Sequence, residues 1–205
     1  MDGKAHWEAI WAEKPSTEMS WYQARPELSL RLIESAGIEP TSRIIDVGGG
    51  ASMLVDELLA RGFRQVTVLD IAPTALQAAR ERLAAKADAV TWVEADITRA
   101  ALPSDYYDLW HDRAVFHFLT QTADRQQYIR AARRSVRTGG HVIIATFAAD
   151  GPTQCSGLNV LRYNVEALDT EFGSDFELQE SVREDHHTPL GKEQKFIYCH
   201  FKRRR

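Results

Sequence analysis

The 205-residue sequence predicts an α/β fold: one mostly parallel sheet of seven strands, the last antiparallel, with helices on both faces and a helical segment ahead of the first strand. Three observations predict it. Short runs rich in Val and Ile alternate with helical patterns, the rhythm of strands joined by right-handed crossovers. The first of these runs ends in a glycine triplet, "RIIDVGGGAS" (43–52). The last two β-rich runs are separated by only a short turn, as in an antiparallel hairpin.

Taken in order, the preface holds two helical stretches, "HWEAIWAEK" and "PELSLRLIESAG", split by "STEMSWYQARP". "RIIDV" (43–47), "QVTVLD" (65–70), "AVTWVEA" (89–95), "YDLWHD" (107–112) and "HVIIATFA" (141–148) read as strands buried on both faces. The helix candidates between them are 51–62, stopped by Gly62; 73–86, opened by Pro73; and 123–140, ended by a glycine pair. A further helix is expected near Val165 to Phe172. The strands "FELQESVRE" (176–184) and "QKFIYCHFK" (194–202) then close on a loop containing "TPLG". The expectation is a single domain over 1–205, with 1–40 as a helical N-terminal segment and 41–205 as the core.

A chain 44% hydrophobic and 26% charged reads as globular, and a net charge of −4 argues against nucleic acid or a membrane surface as the main partner. The basic run "KRRR" (202–205) reads as solvated. Two cysteines, Cys155 and Cys199, provide neither a disulfide framework nor a metal knuckle, so no metal is expected. The first residues carry no signal-peptide core and no segment is long and apolar enough to span a bilayer. The expectation is a cytoplasmic monomer or weak dimer.

The glycine turn carries the chemistry. A dinucleotide fingerprint needs G-x-G-x-x-G; Gly48 and Gly50 supply two positions, but the third is Met53. Asp46, two residues before Gly48, would repel a pyrophosphate at that turn and would favour a ligand bearing positive charge. Asp70 ends the second strand, placed for a ribose diol, and Asp96 follows the third, placed for an adenine amino group beside the apolar Ile97. Acids after three successive strands, at the carboxyl edge where open α/β sheets bind ligands, fit S-adenosylmethionine, which has an ammonium and a sulfonium but no phosphate.

These residues resemble the class I S-adenosylmethionine-dependent methyltransferases: D-x-G-G-G, the acid after strand two, "EADI", "YDLWHDR" and "TGGHVII". The resemblance covers nearly the whole chain. It implies a Rossmann-like sheet with S-adenosylmethionine, and S-adenosylhomocysteine as product, held by Asp46, Gly48, Gly49, Gly50, Asp70, Ile71, Asp96, Ile97 and His111. It also implies an acceptor near the end of strand four, covered by the N-terminal segment as a lid. "WHDRAVFHFLTQTADRQQYI" (110–129) resembles the thiopurine and thiol S-methyltransferases and, more loosely, the lysine methyltransferases acting on elongation factor.

For the acceptor side, His111, Asp112 and Arg113 are the catalytic candidates, since they end the fourth strand. Asp112 and His111 could orient or deprotonate a nucleophile; Arg113 could hold a thiolate ionised, or the Asp112–Arg113 pair could simply fix the loop. Trp11 with Trp7, at i and i+4, reads either as a packed helix stripe or as lid; Trp21 and Tyr22, in an irregular stretch, are stronger lid candidates. His117 on an apolar turn is a substrate-side candidate against a core-facing alternative. Cys155 is open between buried residue and reactive thiol, and His186–His187 are read as surface residues. The expected activity is methyl transfer to a small-molecule acceptor, a thiol or other soft nucleophile. The alternatives are a protein lysine methyltransferase and a catalytically silent cofactor-binding module.

Overall fold

The computed structural model describes residues 3–204; Arg205, the end of the basic run, lies outside them. Five strands run parallel: β1 (Arg43–Val47), β2 (Gln65–Asp70), β3 (Val90–Glu94), β4 (Tyr107–Arg113) and β5 (Val136–Phe147). A two-residue-per-strand hairpin follows, β6 (Gln154–Cys155) with β7 (Leu158–Asn159). The long pair β8 (Phe176–His187) and β9 (Glu193–Arg203) completes the main sheet in the order β3-β2-β1-β4-β5-β9-β8. Strand β9 pairs antiparallel with both β5 and β8, so it alone is reversed and it lies inside the sheet. The seven strands, the final hairpin and the reversed last strand are as the sequence predicts.

The helices are α1 (Gly3–Glu13), α2 (Glu27–Ser35), α3 (Leu54–Ala60), α4 (Pro73–Leu83), α5 (Thr122–Ser135) and α6 (Val165–Phe172). Leu30, Leu32 and Ile33 of α2 and Leu54, Val55 and Leu58 of α3 pack on one sheet face with Ile44, Val68, Leu109, Ile143 and Phe147. Tyr128 and Ala132 of α5 and Leu168 and Phe172 of α6 pack on the other, with Ile45, Trp110, Val142 and Ile144. Burying both faces makes β1, β2, β4 and the end of β5 read as continuous apolar runs, whereas β3, expected to be buried as well, is the edge strand and only Val90 in it is fully buried. Asn164 starts α6 by accepting a hydrogen bond from the Ala167 amide (2.9 Å).

Two of the boundaries that differ from the sequence reading have a clear structural cause. The helix expected over 123–140 stops at Ser135, and the strand begins at once with Val136. Register jumps from Tyr107↔Val136 to Leu109↔His141, so the glycine pair occupies a bulge in β5 instead of ending a helix. A Cβ at Gly140 would stand 2.9 Å from the Arg137 carbonyl and 3.1 Å from that of Asp108. The helix expected from Ala51 starts only at Leu54, because residues 51–53 complete the glycine turn.

Parallel register fixes which side chains face the site. Asp46 is level with His111, and Val47 with Asp112. Side chains alternate along a strand, so His111 and Arg113 share the Asp46 face, and Asp112 points to the other.

Candidate active site

The chain leaves β1 through a tight turn in which the Gly48 amide donates to the Leu69 carbonyl (2.7 Å) and the Ser52 amide to that of Gly49 (2.7 Å). Gly48 has φ +67°, and a Cβ there would collide with Val115 Cγ2 at 1.9 Å. A Cβ at Gly49 would lie 2.6 Å from Asp46 Oδ2, and one at Gly50 2.8 Å from Asp70 Oδ2. The triplet therefore first serves the close approach of the protein's own groups, drawing two carboxylates up to the backbone.

Beside the turn opens a cavity of about 340 Å³, in the range of small-molecule sites of roughly 300–1,000 Å³. Its lining includes Asp70, Ile71, Ala95, Asp96 and Ile97 from the ends of β2 and β3 and beyond, and Trp7, Trp21, Arg113, Phe118, Cys155 and Leu158 from α1, the segment before α2, β4 with its following turn, and the β6–β7 hairpin. Asp70 accepts from the Ala72 amide through Oδ1 (2.8 Å), and burial lifts its pKa to about 7. Asp96 accepts from the Thr98 amide (2.9 Å) and hydroxyl (2.7 Å) with the same Oδ1. The expected adenosine-side residues Asp70, Ile71, Asp96 and Ile97 thus line one cavity.

Helix α1 covers the cavity. Glu8 accepts from the Thr74 amide (3.0 Å) and hydroxyl (2.6 Å), and Lys4 pairs with Glu94 at the end of β3. Trp7 meets Phe118 edge-on with centroids 4.9 Å apart and Trp21 at 6.0 Å; Trp11 also meets Trp21 at 6.0 Å. Trp11 and Trp21 border this cavity and a smaller chamber behind the glycine turn, whereas Tyr22 borders only the chamber. No α1 side chain is fully buried; the two α1 indoles are half-buried, packing on Trp21 and Phe118 while they also line the cavity.

The β4 terminus departs most from expectation. Asp112 does not reach the cavity. It is fully buried on the opposite face and accepts from the Val115 amide (2.8 Å), the Phe116 amide (3.1 Å) and the Tyr128 hydroxyl (2.6 Å), while Tyr128 receives a bond from Trp110 Nε1 (2.8 Å). Its place is to cap the turn after β4, and burial raises its pKa to about 6 against the bond from Tyr128. His111 is also buried, bonded at Nδ1 to Asp46 Oδ1 (2.7 Å) and at Nε2 to Ser29 Oγ (2.9 Å), and it borders the chamber, not the larger cavity. Neither side chain is part of the lining of the larger cavity.

Arg113 does border the cavity, but its guanidinium is committed. It donates to the Tyr198 hydroxyl (2.8 Å), the Trp21 carbonyl (2.9 Å) and Glu184 (3.3 Å), and lies 4.3 Å from the Phe196 ring centroid. Gln23 donates to the same Glu184 (2.9 Å), and His186 Nε2 to the Ser20 carbonyl (2.8 Å). Residues 20–23 are therefore fastened to the β8–β9 hairpin, and His186 is buried there instead of on the surface. His117 is not part of a lid: it is fully buried between Phe118 and Phe147, takes the Phe147 amide bond at Nδ1 (3.2 Å), and has its pKa pushed by burial down to about 3. Cys155 is a free thiol in the cavity wall, its pKa raised by burial.

Sequence reasoning missed Ser29, Glu184 and Tyr198. The first looks like an ordinary polar residue in an amphipathic helix, and the other two like members of alternating strands.

Residues 45–144 match a family model described as a methyltransferase domain. A ubiquinone/menaquinone biosynthesis C-methyltransferase from Shewanella sediminis is 29% identical over 120 residues, 57% of this chain and 47% of that protein. An eEF1A lysine and N-terminal methyltransferase homolog from Drosophila melanogaster is 24% identical over 144 residues, 67% of this chain and 21% of its own length. The chain thus spans about half the length of the first relative and a fifth of the second. Among solved structures, a Burkholderia thailandensis 1,6-didemethyltoxoflavin-N1-methyltransferase, with its acceptor and S-adenosylhomocysteine bound, superposes with a TM-score of 0.71 at 16% identity, covering 98% of this chain and 84% of that one. The sheet order is that of the Rossmann-like methyltransferase fold, and the match at residues 45–144, just under half of the chain, makes its central part similar to a methyltransferase domain. No helix among the described residues is long and apolar enough to cross a membrane.

Proposed function

We propose that the chain is an S-adenosylmethionine-dependent methyltransferase acting on a small, largely apolar acceptor with a soft nucleophile, such as a thiol. The observation that carries this reading is the cavity lined at once by Asp70 and Asp96 and by the Trp7, Trp21 and Phe118 rings, which would form its cofactor side and its acceptor lobe.

The residues fit the cofactor. Asp70, a lining residue whose Oδ1 is taken by the Ala72 amide, would accept from the ribose hydroxyls; Asp96 would take the adenine amino group, with Ile71 and Ile97 against the ring faces. Asp46 Oδ2 is buried without a hydrogen-bond partner, an arrangement an ammonium would relieve. When bound, S-adenosylmethionine supplies a methyl group activated by its sulfonium. The chain's part is to orient the acceptor at near-attack distance and exclude water, which Trp7, Trp21, Phe118 and Leu158 would do. A soft nucleophile that is readily ionised needs no strong base, consistent with the withdrawal of His111 and Asp112 from the acceptor lobe. Arg113 would contribute a positive edge to that lobe, moderated by Glu184.

Closure by α1 favours a small molecule over a lysine side chain, which needs an open groove. Incubation with methyl-labelled S-adenosylmethionine, a panel of small thiols and a protein extract tests this. Label in low-mass products is expected. Label confined to protein would establish the lysine alternative, and cofactor binding without transfer to either would leave the silent-module alternative standing.

A further inference from the structure

Behind the glycine turn lies the second chamber, about 60 Å³, bordered by Ser29, Asp46, Gly49, His111 and Tyr22. Three buried polar side chains from three elements meet there: Ser29 on α2, His111 on β4 and Asp46 on β1. We infer that Ser29 and His111 are positioning residues that hold the Asp46 carboxylate ready for the cofactor's methionine ammonium. The inference rests on the methyltransferase reading above.

The geometry leaves each member one arrangement. A ring nitrogen 2.7 Å from a carboxylate oxygen carries the proton and donates, so His111 Nδ1–H points at Asp46 Oδ1. The far nitrogen, Nε2, is then oriented by Ser29 Oγ at 2.9 Å. With both ring nitrogens fixed, the imidazole cannot flip, and the carboxylate it grips cannot rotate about its terminal torsion. Oδ2 is left buried and unpartnered at the side of Gly49, where even a Cβ would stand only 2.6 Å away. A buried carboxylate oxygen without a donor is costly unless something cationic completes it, and the chamber is of the size for a single small group.

Ser29, His111 and Asp46 have the order of a hydrolytic triad. Ser29 is 0% exposed and Nε2 faces only its hydroxyl, so no acyl group could reach Oγ and the chain is a support, not a nucleophile. Its placement also ties α2 to the cofactor site. That helix follows the segment whose Tyr22 and Gln23 border the same chamber, so docking of the N-terminal region and orientation of Asp46 share one hydrogen bond.

The test uses two ligands that differ only beyond the sulfur: S-adenosylhomocysteine, and 5′-methylthioadenosine, which has the same adenosine and thioether but no amino acid. Titration calorimetry on the full chain should show Ser29→Ala weakening S-adenosylhomocysteine about fivefold to tenfold, the scale of one compromised charge-assisted hydrogen bond, with methylthioadenosine within about twofold. His111→Gln, measured alongside, should show the same split more strongly and serves if Ser29→Ala proves unstable. An equal loss for both ligands marks a merely structural role and overturns the inference, as does unchanged S-adenosylhomocysteine affinity in folded variants. Wild-type protein that binds neither ligand overturns the methyltransferase reading itself.

Discussion

Asp70 should make cofactor binding pH-dependent around neutrality. Its carboxyl is buried at the end of β2, with one oxygen bonded to the Ala72 amide and the other drawn against Gly50. Burial is the largest cause of its rise from 3.8 to about 7; Asp46 and Glu8 push the same way and the Ala72 amide opposes. A ribose diol offers two donors, which favour the ionised acid. Affinity should therefore be full above about pH 7 and fall as pH drops below it, by at most tenfold per unit, or about 1.4 kcal/mol. Asp70→Asn keeps an acceptor for the Ala72 amide but cannot take both ribose hydroxyls as a carboxylate does. It should bind S-adenosylhomocysteine about 1–3 kcal/mol more weakly at pH 8, with the pH slope gone. The same substitution should stabilise the ligand-free protein. A group whose folded pKa is raised supplies stability that is complete below its unfolded value, here 3.8, and is lost as pH rises through about 7. Over those roughly three units the loss is on the order of 4 kcal/mol, which the neutral amide avoids. Calorimetry at pH 6, 7 and 8, with melting temperatures of both proteins, reads each effect. Affinity flat with pH in the wild type, or a slope that persists in Asp70→Asn, would refute the reasoning.

Gly48→Ala should cost stability before it costs binding, because its Cβ meets Val115 Cγ2 at 1.9 Å; a lowered melting temperature, partly restored by adding Val115→Ala, is the expected result. Removing residues 1–13 should leave the sheet intact, because no α1 residue is buried, yet abolish transfer while cofactor still binds; circular dichroism, calorimetry and turnover together check it. Arg113→Ala should lower the melting temperature by loosening residues 20–23 from β8 and β9, and Glu184→Gln should reproduce part of that loss. Equal stability of wild type and Arg113→Ala would contradict the clamp described for that side chain. His117, with its pKa depressed to about 3, contributes stability that is present above pH 6.5 and lost as pH falls toward 3, so His117→Gln should flatten the acid limb of unfolding between those values.

The parts of the fold legible in the sequence are those where burial writes a local pattern. Strands covered on both faces appear as short Val/Ile runs, and Asp46, Asp70 and Asp96 are visible because each closes or follows such a run. The bulge at Gly139–Gly140 is not legible: a glycine pair after an Arg-rich helical stretch looks like a helix stop, and only the sheet register reveals the extra residues in β5. The partners of Arg113 are hidden for a different reason. Tyr198 and Glu184 lie 85 and 71 residues away and meet it only through the β5–β9–β8 order, which no local signal specifies. His117 shows how an apolar setting can be read correctly as burial and still leave open which way the ring faces.

The run His111-Asp112-Arg113 carries the sharpest lesson, because three adjacent polar residues at a strand end were expected in one place and occupy three. Strand alternation alone separates Asp112 from its neighbours, but it cannot say which face holds the cavity. That depends on Asp46, fixed level with His111 by the β1–β4 register. Once Asp46 faces the chamber behind the glycine turn, Asp112 must lie under α5, where Tyr128 and the turn amides satisfy it and the turn is held in shape. That turn carries Val115 against Gly48 and Phe118 against Trp7. Asp112 thus acts on the site through the backbone it caps: Asp112→Asn should disturb the acceptor lobe and the glycine turn together, without its side chain touching either ligand.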